Sequence, residues 1–273
     1  MNFHICQPGD ALRPFVKAFY YWEDASCGPI QLPPHLFTLG DQYMVFMAEG
    51  EATIQPAAHA AFTLPQHAVT GHFTCACHLQ VKGPVKMVVV QLNAYGCYRL
   101  LGMDSASFTN YYRNLDLHEN PVWAQLGASL RQLQEPAAIT TVLNGTYHQV
   151  LQANAPCLKQ ADEMVDYLLA RHGNIRMEEL AQTFQLSRRT LERLFNQVIG
   201  MPPQLFVRMV RFRNALLALQ QTNTTVQSTA YYNQAMFIQD HLLFNGEMPS
   251  WYNMPATIAH MPAATMQQVA VAS

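Results

Sequence analysis

Residues 180–206, LAQTFQLSRRTLERLFNQVIGMPPQLF, constrain the fold more than any other part of the chain. Ser187 is a good helix N-cap, because its hydroxyl can accept a backbone N–H that the first turn leaves unsatisfied. Four apolar residues then recur at helical spacing and predict one buried stripe: Leu191, Leu194, Phe195 and Val198. The outward positions are polar and rich in arginine. A short helix of this kind, held by a preceding helix, fits a DNA major groove, although the solvated face of an ordinary bundle helix has the same pattern.

The residues around this helix resemble the DNA-binding domain of the AraC/XylS family of bacterial transcription regulators. The family pattern appears in register at these positions: Leu180, Ala181, Ser187, Leu191, Arg193, Phe195, Gly200, Pro203, Arg208, Arg211 and Ala215. The resemblance implies two helix-turn-helix units within an all-α domain at residues 157–253. We expect a support helix at 177–184, a recognition helix at 187–199 and a long central helix at 202–220.

A degraded second copy of this pattern follows at an offset of 46 residues. In it Ser187 corresponds to Asn233, Leu191 to Phe237 and Gly200 to Gly246. The copy departs from the family, since Val226 and Ala230 replace the usual Ala and Gly, Gln239 the usual Arg, and His241 the usual Phe. Overpacking at Val226 and the lost glycine freedom at Ala230 predict a weaker second unit.

The resemblance assigns base-facing positions in both units. In the first unit they are Arg189, Glu192 and Arg193, and in the second unit Gln234, Met236 and Gln239. Arg can donate two hydrogen bonds to guanine, Glu can accept from cytosine, Gln can recognise adenine and Met can contact only a thymine methyl group. Phosphate contacts are expected from four further arginines: Arg188, Arg208, Arg211 and Arg213. Arg211 has an alternative structural role, which is to support the junction between the two units.

Charge is distributed unevenly along the chain. Residues 157–213 contain nine basic and six acidic residues (+3), whereas residues 1–156 contain seven basic and ten acidic residues (−3). Residues 214–273 contain no Lys or Arg and two acids. A positive segment of this kind is expected of a phosphate-binding surface. Helix N-termini would have to contact phosphates in the uncharged second unit.

Residues 1–115 are predicted to be rich in β-strands, because short apolar runs alternate with turn signals. The segment also resembles, more weakly, the N-terminal sensor domain of one branch of AraC-type regulators, through positions that include Leu12, Pro14, Trp22, Gly71 and Gly102. That resemblance implies a cupin-like barrel or sandwich. Its aromatic residues, Tyr20, Tyr21, Trp22 and Phe46, could line a ligand pocket or form plain core.

Residues 116–156 are predicted to be helical, with an apolar stripe at Val122, Leu126, Leu130 and Leu133. By family parallel this segment is a linker and dimerisation helix; alternatively the stripe packs on its own sensor domain. The overall expectation is an α+β protein. Residues 254–273 show no periodicity and are expected to form a flexible tail.

Residues 67–78 concentrate histidines and cysteines, of which His72, Cys75, Cys77 and His78 are candidate metal ligands. A soft metal or an oxidant could be sensed there. However, the spacing matches no standard zinc pattern, and small cysteines are common in buried strands. No catalytic set or glycine-rich phosphate loop is recognisable, so neither an enzyme activity nor a cofactor is expected.

The sequence therefore predicts a cytoplasmic regulator that binds double-stranded DNA mainly through the helix at 187–199. No signal peptide or membrane segment is recognisable, and the six cysteines are expected to be reduced. A small-molecule effector, RNA polymerase and a second copy of the chain are candidate partners. Two alternatives remain open: a family member that acts through protein contacts with weak DNA binding, and a cupin-type metalloenzyme.

Overall fold

A computed structural model of the chain describes residues 2–27, 29–32, 40–154, 160–221, 231 and 234–248. The N-terminal β domain contains eight strands: β1 (Asn2–Cys6), β2 (Val16–Asp24), β3 (Ile30–Leu32), β4 (Gln42–Pro56), β5 (Phe62–Thr63), β6 (His67–Thr70), β7 (Cys77–Leu92) and β8 (Tyr112–Asn114). They form one antiparallel sheet in the order β1-β2-β7-β4-β6-β8, with β3 paired to β7 and β5 paired to β4.

The sheet bends because its two longest strands, β4 and β7, are irregular at their centres. Their register shifts between Met47 and Glu51. Gly50 and Gly83 adopt φ angles of 98° and 82° there, which a residue with a Cβ rarely adopts. Bulges of this kind kink a strand and increase its twist. Apolar residues from both halves of the hairpin, on either side of this irregularity, share one buried cluster.

Alternation along the strands gives the sheet two apolar faces. The inner face of the bend encloses Val45, Ile54, Leu79 and Met87. Its outer face, which includes Met44 and Val90, belongs to a second core that extends through the helices. Tyr21 and Phe46 lie in the outer core and Trp22 in the inner core, so these three candidate pocket aromatics are all buried.

In the described part of the N-terminal half there are also three α-helices: α1 (Gly96–Leu101), α2 (Val122–Gln132) and α3 (Pro136–Asn154). Two of the predicted stripe residues, Leu126 and Leu130, are buried and belong to the outer core. At Gly127 a Cβ would lie 2.3 Å from the His67 ring, so α2 can approach the sheet closely only with glycine there. Leu126 and Leu130 thus pack within this chain, and a role of the segment in linking or dimerisation stays a prediction.

The C-terminal helical domain contains α4 (Gln160–Ala170), α5 (Met177–Thr183), α6 (Arg188–Ile199), α7 (Pro203–Gln221) and α8 (Gln234–Asn245). The predicted α+β organisation is confirmed. The predicted support, recognition and central helices correspond to α5, α6 and α7 within one or two residues. No helix in the described ranges is long and apolar enough to span a bilayer. Val226, Ala230, Asn233 and the expected tail at 254–273 lie outside the described residues.

Candidate nucleic-acid interface

Helix α6 begins and ends as its sequence predicts. The Ser187 Oγ accepts the Thr190 N–H at 3.1 Å, which caps the first turn. At the other end Gly200 adopts φ 85°, and its N–H donates to the Asn196 carbonyl at 2.9 Å. The preceding turn contains Gln185 at φ 53°, an uncommon conformation for a residue with a Cβ.

The two faces of α6 differ sharply in exposure. Leu191, Phe195 and Val198 are buried in the outer core. Arg189 and Arg193 are exposed, and Glu192 is partly exposed. Leu180 of α5 is fully buried and contributes to the same core. The structure therefore presents the three predicted base-facing residues of the first unit on the solvent side of a helix with a buried apolar back.

The four predicted phosphate-contacting arginines have different surroundings. Arg188 is 67% exposed and its Nε lies 3.2 Å from Oε1 of Glu192. Arg208 Nε donates to Asp240 Oδ1 at 3.1 Å. Arg211 donates to the Gly173 carbonyl from Nε at 3.3 Å and from Nη2 at 3.2 Å.

Arg213 is largely enclosed by the β domain. Its side chain is 14% exposed, and Nη1 lies 3.6 Å from Oδ1 of Asp41 in the β domain. Lys17 also pairs with Asp41. Burial alone would raise the pKa of Asp41, but these two cations outweigh it and hold that pKa below its usual value. In this arrangement Arg213 contacts the β domain, and a phosphate could reach it only after that contact opens.

Helix α8 resembles α6 on its buried side but differs from it on its exposed side. Phe237 and Phe244 are fully buried. His241, which stands where the family has Phe, is also buried and packs edge-on against Phe212 with ring centroids 5.7 Å apart. The outer side shows Met236 (40% exposed), Gln239 and Leu242 (43% exposed). Gln234 begins the helix, and the placement of its side chain lies outside the described atoms.

Asp240 joins the two units. Besides Arg208 of α7, it accepts a hydrogen bond from the Tyr231 hydroxyl at 2.7 Å. Asp240 is 4% exposed, so both partners are needed to satisfy a buried carboxylate. Among the described ion pairs, Arg208 is the cation that contacts α8, and its partner there is Asp240.

The helical domain docks onto the β domain through polar contacts that the sequence analysis missed. Asp162 of α4 is fully buried and accepts from Arg99 of α1, at 2.9 Å from Nε and 2.8 Å from Nη2. Tyr95 donates its hydroxyl to Asp166 at 3.0 Å. The partners are far apart in sequence, and each belongs to an ordinary helical pattern, so no local signal identifies them.

The C-terminal end of α6 is completed by the β domain. The Ser105 hydroxyl donates to the Val198 carbonyl at 2.8 Å, and the Thr109 hydroxyl donates to the Gly200 carbonyl at 2.6 Å. These carbonyls are among the acceptors that a helix end leaves unsatisfied. A Cβ on Gly200 would lie 2.7 Å from the Ser105 carbonyl oxygen, so glycine is required for both the φ angle and the contact.

The four candidate metal ligands are not assembled into one site. His72 is buried against Phe206 and lies 3.3 Å from the Gly40 carbonyl oxygen, whereas His78 is exposed. Cys75 and Cys77 are both buried. Within the described part of the chain, no three His, Cys, Asp or Glu side chains are placed to hold a metal ion. The structure does not bring the four residues together, because His72 is buried in the segment before β7 whereas His78 is exposed on β7.

Comparison with known families finds a match for a segment in each half of the chain. Residues 180–249 match the family model of a helix-turn-helix domain, and residues 4–114 match a domain of unknown function (DUF6597). The capped helix α6, with its buried apolar side, agrees with this match, so the C-terminal half contains a helix-turn-helix domain. This match agrees with the resemblance of that segment to the DNA-binding domain of AraC/XylS regulators. Among curated proteins, no sequence matches the chain.

The chain is also similar to solved regulator structures at low identity. ToxT from Vibrio cholerae is 10% identical with a TM-score of 0.46, over 92% of this chain and 98% of that one. A fatty acid-bound ToxT from the same organism is 11% identical with a TM-score of 0.43, over 92% and 94%. The AraC-like activator CuxR is 10% identical with a TM-score of 0.27, over 82% and 89%.

Proposed function

We propose that this regulator binds specific DNA sequences mainly by inserting α6 into the major groove. The observation that carries the proposal is the exposure of Arg189 and Arg193 on one side of a helix whose other side is buried. A helix fixed from behind holds its front side chains in a defined orientation, which sequence recognition requires. The motif docks in this way when its second helix enters the groove.

The proposed base contacts follow from side-chain chemistry. Each arginine can donate two hydrogen bonds to guanine O6 and N7, and Glu192 can accept from cytosine N4. A good bidentate pair contributes about 1–3 kcal/mol of discrimination. Glu192 lies 3.2 Å from Arg188 in this structure, so Arg188 can hold that carboxylate in place when it is not bound to a base.

We propose that α8 contributes little to DNA affinity. Residues 234–245 contain no Lys or Arg, and Asp240 already occupies Arg208. Affinity for DNA depends strongly on neutralising phosphates with cations. The outer side of α8 can offer a hydrogen-bonding amide at Gln239 and an apolar contact at Met236, which together give limited recognition.

The β domain is proposed to act as the regulatory part, without enzyme activity. It holds the first unit through Arg99, Ser105 and Thr109, so a ligand or partner that alters these contacts would change how α6 is presented. A small-molecule effector, RNA polymerase and a second copy of the chain remain predicted partners. Since Leu126 and Leu130 are buried within the chain, a homodimer would need another surface.

The proposal is tested by selecting genomic DNA fragments with the full-length protein, in parallel with the Arg189→Ala plus Arg193→Ala variant at the same salt concentration. Enrichment of one motif that disappears in the variant is the expected result. Binding that is insensitive to sequence and equal in both proteins would overturn it. A matched control is Met236→Ala plus Gln239→Ala, which should enrich the same motif.

A second candidate function is regulation through protein contact, and one observation favours it. Three of the large apolar side chains that are exposed in the described residues lie on α8 or just after it: Met236, Leu242 and Met248. Exposed apolar surface of this kind is typical of interaction sites. Under this alternative, capture of the protein by purified RNA polymerase would be lost on Leu242→Lys and unaffected by the arginine variant.

A further inference from the structure

A short turn between β6 and β7 supports the end of α8. The Ala76 N–H donates to the Leu243 carbonyl at 2.9 Å, and the Ala76 carbonyl accepts from the Ala57 N–H at 2.8 Å. A Cβ on Gly246 would lie 3.0 Å from the Ala76 Cβ, so the two backbones are close. The backbone of Ala76 thus contacts the second helix-turn-helix unit directly.

A cysteine stands on each side of this residue. Cys75 is 8% exposed and Cys77 is fully buried. The Cys77 Sγ lies 3.5 Å from the Cys75 carbonyl oxygen, and its thiol also lies within hydrogen-bonding reach of the Cys75 sulfur. The two side chains are therefore in contact across the residue that holds Leu243.

The surroundings make the two thiols chemically unequal. A hydrogen bond from Cys77, together with the backbone N–H groups of Ala58 and Ala57, outweighs burial and lowers the pKa of Cys75 to about 6. Burial raises the pKa of Cys77. The lowered pKa favours the thiolate form of Cys75, which is the form that attacks an oxidant, and Cys77 is a neighbouring thiol that can resolve the product.

We propose that Cys75 and Cys77 form a peroxide-responsive switch beneath α8, in which closure of a Cys75–Cys77 disulfide moves Ala76 and loosens its contact with Leu243. In the first step the Cys75 sulfur attacks one oxygen of a hydroperoxide. The O–O bond breaks, Cys75 becomes a sulfenic acid, and the other oxygen leaves as water or an alcohol after taking a proton. In the second step the Cys77 sulfur attacks the Cys75 sulfur, and the sulfenic oxygen leaves as water. Two thiols are oxidised and one peroxide is reduced.

The geometry favours this chemistry over a soft metal ion. A two-coordinate cation between the sulfurs would have to push apart side chains that are now in contact. The described residues place no third donor group nearby that would complete a site. Disulfide formation instead draws contacting sulfurs together, to about 2 Å. The ring that results includes the backbone of Ala76, so the bond cannot form without acting on that residue.

The chemical half is tested on the full-length protein with hydrogen peroxide, followed by digestion and mass spectrometry of the segment that contains both cysteines. The expected product is a peptide lighter by two hydrogen atoms that reverts with a thiol reductant. Cys77→Ala should instead accumulate sulfinic and sulfonic acids at Cys75, and Cys75→Ser should react slowly at Cys77. Cys27→Ser, which removes an exposed thiol, is the matched control and should behave like the parent protein.

The structural half is tested by hydrogen exchange on the reduced and oxidised proteins without DNA. Oxidation should speed exchange at α8 about tenfold, while α6 stays protected. Retention of both thiols under peroxide would overturn the proposal. If cuprous ion then protected both thiols from an alkylating reagent, the pair would instead be a metal site. A disulfide that leaves α8 exchange unchanged would also overturn it. The consequence for transcription rests on the proposed function, but neither measurement requires DNA, so the two can fail independently.

Discussion

The second helices of the two helix-turn-helix units, α6 and α8, have similar buried sides and different exposed sides. At the offset of 46 residues, buried Leu191, Phe195 and Val198 of α6 correspond to buried Phe237, His241 and Phe244 of α8. On the outer side, by contrast, Arg189 and Arg193 correspond to Ala235 and Gln239. The back of each helix is constrained by the core it must fill, whereas the front is constrained only by what it binds. The buried side of α8 thus keeps the core-facing pattern of α6, whereas its exposed side carries no Lys or Arg.

The units also differ in how the β domain holds them. The first unit is held by a buried ion pair and by hydroxyl groups that complete α6. The second unit receives the backbone hydrogen bond from Ala76 to Leu243. Charged and directional contacts hold the helical domain in one orientation, because a small displacement leaves buried polar groups without partners. We therefore expect the first unit to be the more rigidly presented of the two.

The largest expected effect is on specific DNA binding. Arg189→Ala plus Arg193→Ala should weaken affinity for the selected motif by about 30-fold to 10⁴-fold, because two bidentate contacts of about 1–3 kcal/mol each are removed. Met236→Ala plus Gln239→Ala should change it less than about threefold. Fluorescence anisotropy at fixed salt measures both. Comparable losses from the two variants would mean that the units share recognition equally.

The next effect concerns the contacts that hold the helical domain against the β domain. Asp162→Asn should destabilise the protein by about 3–5 kcal/mol, because it leaves the buried guanidinium of Arg99 without a charged partner. Asp166→Asn, an exposed acid on the same helix that retains an acceptor for Tyr95, is the control and should cost less than about 1 kcal/mol. Urea denaturation followed by circular dichroism gives both values. Equal costs would indicate that the ion pair is not what holds α4.

A third effect is a pH dependence that arises where His72 meets Phe206 and Gly40. Burial lowers the pKa of His72 to about 4, below the 6.5 of an unperturbed histidine. Between these values the unfolded chain binds more protons, so stability falls as the pH falls from about 6.5 to about 4, by on the order of 3 kcal/mol. His72→Gln should flatten this part of the profile in a series of thermal melts. The loss expected from Asp41 begins at lower pH, since the pKa of that carboxyl is below its usual value.

The smallest expected effect is on salt dependence. Arg188→Ala should reduce the slope of log K against log salt by about 0.9, the value for one phosphate contact on duplex DNA. Arg213→Ala should leave the slope almost unchanged if Arg213 stays paired with Asp41 when DNA binds. An equal change in both slopes would show that the domains separate on DNA and release Arg213.

Local pattern explains which parts of this molecule the sequence could predict. The ends of α6 followed from Ser187 and Gly200, and its buried side followed from the spacing of Leu191 and Phe195, because these are short-range determinants. The ion pairs of Arg99 and Arg213 could not be predicted in this way. Both join residues more than sixty positions apart, and their partners depend on how two separately patterned domains pack. The different surroundings of His72, which is buried, and His78, which is exposed, also depend on the packing of the domain and not on their spacing in sequence.

The hydroxyl groups that complete α6 have a consequence for the modularity of this regulator. Since Ser105 and Thr109 supply hydrogen bonds at the end of α6, the helical domain cannot be joined to an unrelated N-terminal domain without loss of these contacts. A chimera that replaces residues 105–109 with unrelated sequence would leave two carbonyls of α6 without these partners and Gly200 against an altered surface. Exchange of the N-terminal domain should therefore succeed only when residues 105–109 are kept together with the helical domain.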